Sequence, residues 1–318
     1  MLIGNPSLLF EVNHHFGKLP PNVHPGYTHG VCVDNDDNVY VFNQATSAIL
    51  LFNRYGEYQR SWGEEFQHGA HGMRLVDEQS HQFLYLTDYE KQVVVKMTLH
   101  GKEHLRLEVP PRKDIYAGPH EFKPTDVCVS PVGDIYVFDG YGKPYVHVYD
   151  HKAHYLMSIG GPGKGPGQFD CPHGGWIDTR RTPAELYVAD RGNNRIQVFS
   201  LDGKFKRIIS HPEIERPCGF YQYADELWVP DLNARVVVLD KDDKVAVVLG
   251  DNPEAPKTEG WPNIHDKLQV GKFNSPHALC IDTRGDVYVV EWISSGRITK
   301  LTRKSDVPPL GQPKPGRM

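Results

Sequence analysis

The sequence lacks three features that would place the chain in other classes of protein. No stretch comes near the roughly 18 to 20 uninterrupted apolar residues of a membrane-spanning helix. The formal net charge of −5 provides no basic field for binding DNA or RNA. No Gly-x-Ser-x-Gly elbow or comparable nucleophile motif occurs. We therefore expect no membrane partner and no nucleic-acid partner.

Cysteine is scarce and odd in number, with five in the chain. Cys32, Cys128 and Cys280 each lie within an apolar run, where cysteine usually serves as a small buried hydrophobe. The start of the chain, residues 1–6, has neither the basic beginning nor the apolar core of a signal peptide. We expect reduced thiols and, as the default, a cytoplasmic location.

Glycine and proline, by contrast, are plentiful, at 30 and 25 residues, and indicate many turns. A short phrase recurs six times at intervals of roughly 40 to 60 residues, close to the period of propeller blades. Its key residues are His29, His71, Thr125, His173, Cys218 and His277. This repeat predicts one structural unit per phrase.

A second apolar run follows each phrase and usually ends in an acid: Asp88, Asp139, Asp190, Asp231 and Glu291, with Asn43 in the first repeat. Third and fourth short runs come next, as in residues 196–199 and 204–209. The pattern predicts an all-β fold, a six-bladed β-propeller of four-stranded antiparallel blades. The N-terminal run, residues 8–12, is predicted to complete the last blade and close the ring. Residues 1–307 would be a single propeller, and residues 308–318 a Pro-rich tail.

The fourth repeat carries a resemblance to a known type of repeat. Residues 166–169, 172–174 and 186–199 closely resemble an NHL-type repeat. The resemblance implies a propeller, in agreement with the period.

Three histidines of the recurring phrase, His71, His173 and His277, come from the second, fourth and sixth blades. Alternate blades of a sixfold ring place them about 120° apart. Three neutral imidazoles that converge on one point would hold a metal ion and leave a position open for water or substrate. For any one of them, a hydrogen bond to a neighbouring loop is the alternative. His29, in the first blade, lies outside this alternate-blade pattern. Three roles stay open for it: a fourth ligand, a substrate contact or a remnant of the repeat.

The third repeat carries a closer family match in residues 122–129, 135–138 and 139–142. It resembles the catalytic domain of peptidyl-α-hydroxyglycine α-amidating lyase, a zinc-dependent six-bladed propeller, and the resemblance extends from His71 to Glu291. It implies Zn²⁺ on the three histidines, a catalytic Tyr141 and an active-site Arg191. The implied metal polarises a substrate oxygen while Tyr141 moves a proton and a carbon–heteroatom bond breaks.

Tyr141 also has a simpler interpretation. Free tyrosine has a pKa near 10 and is a poor base at pH 7 unless a cation or a metal lowers that value. Arg191 and the metal are the candidates for this effect. Without a metal, Tyr141 would be an ordinary aromatic residue on a turn.

The sequence departs from the lyase pattern at positions that bear on the substrate. Asn43 and Ala278 stand where the family carries an arginine and an aspartate, and Lys123 and Gly142 stand where it carries cysteines. The lost cysteines fit an intracellular relative, and the lost charges argue against peptide amidation. We expect a small polar hydroxylated substrate, with His29 and Asn43 as contacts.

Two further patterns are weaker. The loop at residues 161–167 superficially resembles a phosphate loop, but it precedes a strand and is interpreted as a turn between blades. The recurring acids could form a carboxylate ring, as in calcium-dependent propeller lactonases, so a structural Ca²⁺ stays open. Their regular recurrence favours hydrogen bonds to turn amides, often facing an arginine such as Arg195 or Arg235.

Two classes of function remain. The first is a metal-dependent lyase, or a hydrolase on the same site, that uses Zn²⁺ or another divalent transition metal and a small-molecule substrate. The second is a non-catalytic NHL-type propeller that binds a protein or a ligand on one face.

Overall fold

The computed structural model describes residues 1–304, so the predicted tail at residues 308–318 lies outside the described residues. Regular structure in residues 1–304 consists of β-strands and five short 3-10 helices. These residues belong to two compact units, Met1–Gln67 together with residues 211–304, and His68–Ser210. The single domain over residues 1–307 stays a prediction.

Among residues 1–304, no helix has the length and apolar character needed to cross a membrane.

Six antiparallel sheets follow one another along the chain as blades 1 to 6, which confirms the predicted all-β six-bladed β-propeller. Two strands precede blade 1: β1 (Leu2–Asn5) and β2 (Leu8–Asn13). Blade 1 contains β3 (Thr28–Val33), β4 (Val39–Asn43), β5 (Ile49–Phe52) and β6 (Tyr58–Trp62). Blade 2 contains β7 (Ala70–Glu78), β8 (His81–Asp88), β9 (Val93–Thr98) and β10 (Glu103–Leu107). Blade 3 contains β11 (Asp126–Val129), β12 (Ile135–Phe138), β13 (Tyr145–Tyr149) and β14 (Tyr155–Gly160).

The remaining blades repeat this order. Blade 4 contains β15 (Pro172–Asp178), β16 (Glu185–Asp190), β17 (Arg195–Ser200) and β18 (Phe205–Ile209). Blade 5 contains β19 (Tyr221–Tyr223), β20 (Glu226–Asp231), β21 (Arg235–Leu239) and β22 (Val245–Leu249). Blade 6 contains β23 (Pro276–Ile281), β24 (Val287–Glu291) and β25 (Ile298–Arg303). The 3-10 helices are Glu64–Phe66, Pro119–Glu121, Arg191–Asn193, Ala255–Lys257 and His265–Lys267.

Burial changes across each blade. The second strands β4, β12, β16, β20 and β24 are buried along their whole length, and β12 is a continuous run of β-branched and aromatic residues. The fourth strands, such as β6 and β10, are partly exposed and carry polar residues. Polar side chains are what an edge strand needs to resist pairing with another chain.

The unit His68–Ser210 contains blades 2, 3 and 4, and its core lies between neighbouring blades. Val94 and Phe122 belong to the cluster that joins blades 2 and 3. Phe138, Phe169 and Ile177 belong to the cluster that joins blades 3 and 4. The loop at residues 161–167 lies between β14 and β15, as the predicted turn between blades.

The other unit contains blades 1, 5 and 6. Strand β2 pairs with β25, with Phe10 opposite Arg303 and Val12 opposite Leu301, so the N-terminal strand completes the last blade as predicted. Strand β1 was not predicted from the sequence, and it extends this blade to five strands by pairing with β2.

No disulfide links any two of the five cysteines, which all lie within residues 1–304. Cys32, Cys128 and Cys280 are buried, as their apolar surroundings predicted.

Candidate functional site

Four histidines of the recurring phrase share one backbone position. His29, His71, His173 and His277 are each the second residue of the first strand of a blade, and all four are buried. The pairing register between the first two strands shifts at each of them. Such a bulge leaves one residue out of the ladder and re-aims its side chain, a device that is frequent beside active sites.

Within the unit His68–Ser210, two of the predicted ligands lie together. The ring centroids of His71 and His173 are 4.8 Å apart. The hydroxyl oxygen of Tyr141 lies 3.1 Å from Nε2 of His71 and 3.3 Å from Nε2 of His173. The two imidazole nitrogens therefore point to the same place, and the phenol group stands at that place.

The hydrogen bond of His71 fixes its tautomer. Nδ1 of His71 lies 2.6 Å from the carbonyl oxygen of Thr125, which can only accept, so Nδ1 carries the proton and donates it. In the neutral ring, Nε2 then carries the lone pair. A second partner of this kind is what orients metal-binding histidines in proteins. His71 is thus prepared to coordinate through Nε2.

Arg191 also lies beside Tyr141, as the sequence resemblance implied. Its Nη2 donates to the Tyr141 hydroxyl oxygen at 3.3 Å, and its guanidinium carbon lies 5.4 Å from the centre of the tyrosine ring. A cation at this distance favours the ionised form of a phenol. Tyr141 keeps 38% of its surface exposed, so the residue lies at the surface of its unit.

The loop that carries Tyr141 has no room for a side chain at Gly140 or Gly142. A Cβ atom on Gly140 would lie 2.4 Å from Oγ1 of Thr125 and 3.1 Å from Cα of His173. A Cβ atom on Gly142 would lie 2.3 Å from Oδ1 of Asp139. The Asp-Gly-Tyr-Gly motif is therefore required for the close approach of this loop to the first strands of blades 3 and 4.

The unit that contains blades 1, 5 and 6 holds the remaining members of the histidine set. The rings of His29 and His277 are 4.7 Å apart. Nδ1 of His277 donates to the carbonyl oxygen of His29 at 2.8 Å, and Nδ1 of His29 donates to that of Tyr27 at 3.1 Å. Both rings therefore have the same tautomer as His71, with the lone pair on Nε2. The thiol of Cys218 lies within 4.8 Å of a ring nitrogen of His277, and no role was predicted for this neighbour.

Asn43, which was expected to contact a substrate, is fully buried. Its side chain accepts from the Gly26 N–H at 2.9 Å and donates to the carbonyl oxygens of Ser47 and Ala48 at 2.9 and 3.0 Å. All of its polar atoms are bound to the backbone. Asn43 therefore anchors a turn, and it is not part of the site proposed below.

The acids at the ends of the second strands have the same structural role, as the sequence predicted. Asp139, Asp190, Asp231 and Glu291 each accept a backbone N–H from the loop before the first strand of their blade. Asp88 accepts from the N–H groups of Glu90 and Lys91 instead.

One expected arginine pairs with such an acid and the other does not. Arg195 donates to Asp190 at 2.7 Å, as predicted. Arg235 lies opposite Asp231 in the pairing of β20 with β21, as predicted, but its ion pairs are with Glu215 and Asp251 at 3.1 and 2.9 Å.

A second set of positions escaped the sequence analysis. The residue after each acid, and after Asn43 in blade 1, donates its N–H to the carbonyl two residues before the key residue of the recurring phrase. In blade 3 the donor is the second residue after the acid. We call these six the post-acid residues: Gln44, Tyr89, Tyr141, Arg191, Leu232 and Trp292. Their shared bond holds each of them beside the first strand of its own blade. The regular spacing after the acids was the signal that could have revealed Tyr89 and Trp292.

Comparisons with known proteins agree with this fold. A family model described as a 6-bladed beta-propeller matches residues 122–246. NHL repeat-containing protein 3 of Homo sapiens is 30% identical over 194 residues, which cover 57% of this chain and 54% of that protein. Peptidyl-alpha-hydroxyglycine alpha-amidating lyase 1 of Drosophila melanogaster is 24% identical over 285 residues, which cover 83% and 50%. The chain thus spans about half the length of these curated relatives.

Among solved structures, virginiamycin B lyase from Staphylococcus aureus matches with a TM-score of 0.61 at 14% identity, over 92% of this chain and 99% of that chain. At this identity the shared property is the fold. The comparisons confirm the predicted resemblance to NHL repeat-containing proteins and to the amidating lyase, and they show that the distant relatives include enzymes.

Proposed function

We propose that this protein is a metal-dependent lyase that cleaves a carbon–heteroatom bond in a small hydroxylated substrate. The observation that carries the proposal is the position of the Tyr141 hydroxyl, 3.1 Å from His71 Nε2 and 3.3 Å from His173 Nε2, with Arg191 donating to the same oxygen. A base with a nearby cation, placed against two imidazole ligands, is an arrangement for proton transfer beside a metal.

The residues present fit a divalent transition metal such as Zn²⁺. Two neutral imidazoles present their Nε2 atoms to one point, and the Thr125 carbonyl holds the ring of His71 in the required tautomer. We retain His277 as the third ligand because of its place in the repeat and its own Nδ1 hydrogen bond. When bound, the metal would act as a Lewis acid toward a substrate oxygen.

The chain's own residues would handle the substrate and its proton. Arg191 supplies positive charge that favours the phenolate of Tyr141, so Tyr141 can take the proton of a substrate hydroxyl. As that O–H bond breaks, its electron pair forms the carbonyl C=O, and the carbon–heteroatom bond breaks toward the leaving group. The leaving group departs with the bonding pair and is protonated from Tyr141 or from water. Tyr89, whose ring lies 5.5 Å from that of Tyr141, would line the substrate side.

The substrate is proposed to differ from the hydroxyglycine peptides named for the Drosophila relative. The family arginine and aspartate are replaced here by Asn43 and Ala278, and Asn43 is buried in a turn. His29, beside His277, is the residue that we propose contacts the substrate on that side.

The metal is tested by elemental analysis of the purified protein and its variants. We expect about one divalent transition metal per chain in the wild type. His71→Ala and His173→Ala should lose it, because each removes a converging Nε2 donor. His154→Ala, which alters an exposed histidine of the same unit, should retain it. A wild-type protein without stoichiometric metal, or a His173→Ala variant that keeps its metal, would overturn the proposal.

A second function is supported by the similarity to NHL repeat-containing protein 3. A non-catalytic propeller would use the same surface to bind a protein or ligand, and it would need no metal. The elemental analysis therefore separates the two functions. A hydrolase on the same site would instead be recognised by water oxygen incorporated into the product.

A further inference from the structure

A buried carboxylate anchors the loop that carries Tyr141. Oδ1 of Asp139 accepts from the N–H of Lys123 at 2.7 Å, before the first strand of blade 3. Oδ2 accepts from the N–H of Lys143 at 2.7 Å, at the far side of the loop, and from the hydroxyl of Tyr116 at 2.6 Å. Asp139 thus joins both sides of the Tyr141 loop, and Tyr116 is the side chain that supports it.

The hydrogen bonds continue from Tyr116 through the interior of blade 3. Nε2 of His147 lies 2.6 Å from the Tyr116 hydroxyl, and Nδ1 of His147 lies 2.8 Å from Oγ of Ser158. The Tyr155 hydroxyl lies 2.7 Å from the same Oγ, and Arg112 donates to Tyr155 at 3.0 Å. We call this chain the Asp139 relay; its members are Asp139, Tyr116, His147, Ser158, Tyr155 and Arg112.

Every donor in the Asp139 relay can be assigned when Asp139 is ionised. The carboxylate can only accept, so the Tyr116 hydroxyl donates to it and its oxygen accepts from Nε2–H of His147. Nδ1 of His147 then accepts from Ser158, which accepts from Tyr155. Burial lowers the pKa of His147 to about 3, which keeps the ring neutral, as this assignment requires. All the bonds point the same way, an arrangement in which each bond strengthens the next.

Blade 4 has a simpler arrangement than the Asp139 relay at the equivalent position. Gln197 of β17 and His147 of β13 occupy the same register, opposite Val188 and Val137. In blade 4, Gln197 donates directly to the anchoring Asp190 at 2.9 Å. The histidine and Tyr116 together replace that glutamine in the blade whose loop carries Tyr141.

We propose that Tyr116 and His147 are positioning residues for Tyr141: through Asp139 they hold its loop so that the hydroxyl stays between His71 and His173. The inference rests on the proposed function for its catalytic consequence, but the anchoring itself concerns only the loop. Loss of the Tyr116 hydroxyl should free the segment from Gly140 to Lys143.

The relay also predicts a pH effect. Burial raises the pKa of Asp139 to about 6, and the bonds from Tyr116 and from the N–H groups of Lys123, Lys143 and Gly142 oppose this rise. Removing the Tyr116 hydroxyl takes away one of these bonds and raises the pKa further. The acid in its protonated form loses loop bonds, so activity should fall on the acid side at a higher pH than in the wild type.

The experiment compares Tyr116→Phe with Tyr136→Phe. Tyr136 lies in the same blade, is buried and donates to the Leu201 carbonyl at 2.9 Å, away from the loop. Tyr116→Phe loses the bonds to Asp139 and His147, and Tyr136→Phe loses the bond to Leu201. Only Tyr116→Phe should lower kcat, by roughly tenfold to a hundredfold, with metal content unchanged. Only this variant should move the acid limb of the pH–rate profile upward. His147→Gln, which copies blade 4, should keep most of the activity, whereas His147→Leu should not.

Hydrogen exchange supplies a readout that does not depend on turnover. Amides of Lys123 and Lys143 should exchange faster in Tyr116→Phe and unchanged in Tyr136→Phe. If exchange and the pH profile match the wild type, the positioning role is wrong. If the wild type shows no turnover while the exchange changes as expected, the proposed function fails and the anchoring role stands.

Discussion

Tyr141 is the side chain on which the proposed chemistry depends most directly. Its hydroxyl has three neighbours within 3.3 Å, two imidazole nitrogens and a guanidinium nitrogen, whereas its ring packs against Tyr89. The ring and the hydroxyl therefore have separable roles, packing for the one and proton transfer for the other.

This separation makes Tyr141→Phe informative. The variant keeps the aromatic packing and both histidine ligands, so bound metal should be unchanged by elemental analysis. Turnover should fall by roughly a hundredfold to ten-thousandfold because the proton-transfer group is gone. Tyr55→Phe, at an exposed tyrosine, serves as the control. Unchanged turnover in Tyr141→Phe would remove Tyr141 from the mechanism.

The sequence predicted these residues unevenly. His71, His173, Tyr141 and Arg191 were found because the repeat and the family resemblance mark their positions, and the structure brings all four together. Asn43 was given a substrate role because only its position in the pattern was visible, not its burial. Tyr116 could not be foreseen, since it lies in an irregular loop and its partner His147 belongs to a distant strand.

At the scale of elements, the N-terminal strand β2 is held to its neighbours by one large buried side chain. Phe10 is fully buried, and its ring meets Trp228 of blade 5 edge to face at 5.5 Å. Arg303 lies over the other side of the ring, with its guanidinium carbon 5.1 Å from the ring centre. A single side chain of β2 thus joins blade 6 to blade 5 within one unit.

Phe10→Ala should lower the free energy of unfolding by about 3–5 kcal/mol, because it leaves a cavity between two blades. Tyr55→Ala, which alters a residue 76% exposed in the same unit, should change it by less than about 0.5 kcal/mol. Urea unfolding followed by tryptophan fluorescence measures both. A loss below about 1 kcal/mol for Phe10→Ala would show that β2 contributes little to the blade.

The sequence predicted the strands of the six blades but missed the first strand of the chain. The alternation of apolar runs and turns identified all six blades. A short apolar run bounded by turn residues is the usual sequence pattern of a buried strand. Strand β1 was missed because residues 2–5 contain glycine and asparagine and have no repeat partner. Its pairing with β2 is a local hairpin around residues 6 and 7, where Asn5 Oδ1 accepts from the N–H groups of Ser7 and Leu8, so the overlooked signal was this turn.

For the whole molecule, buried titratable groups set the response to pH. His14 and His147, one in each unit, are neutral because burial lowers the pKa of each to about 3. An unfolded chain binds these protons near pH 6.5, so stability is lost as the pH falls from about 6.5 toward 3. Asp139 and Asp231, whose pKa burial raises to about 6, act in the opposite direction, because the folded form binds their protons first.

His14→Gln isolates one of these contributions. The wild-type His14 donates to Oγ1 of Thr299 and accepts from the N–H of Gly271, and glutamine can make bonds of both kinds without titrating. Between pH 7 and pH 5 the variant should lose about 2 kcal/mol less of its unfolding free energy than the wild type. Urea unfolding at the two pH values tests this. Equal losses would mean that His14 is not held neutral in the folded protein.

The shared backbone bond of the post-acid residues has a consequence for how such proteins diversify. Since the bond involves only main-chain atoms, the side chain at each of the six positions can change while the blade stays intact. Tyrosine, arginine, leucine, glutamine and tryptophan already occupy equivalent places in this one chain. Single exchanges at these positions are therefore expected to leave the blades intact, and in the unit His68–Ser210 a library at Tyr89 and Arg191, beside Tyr141, would test how the proposed site selects its substrate.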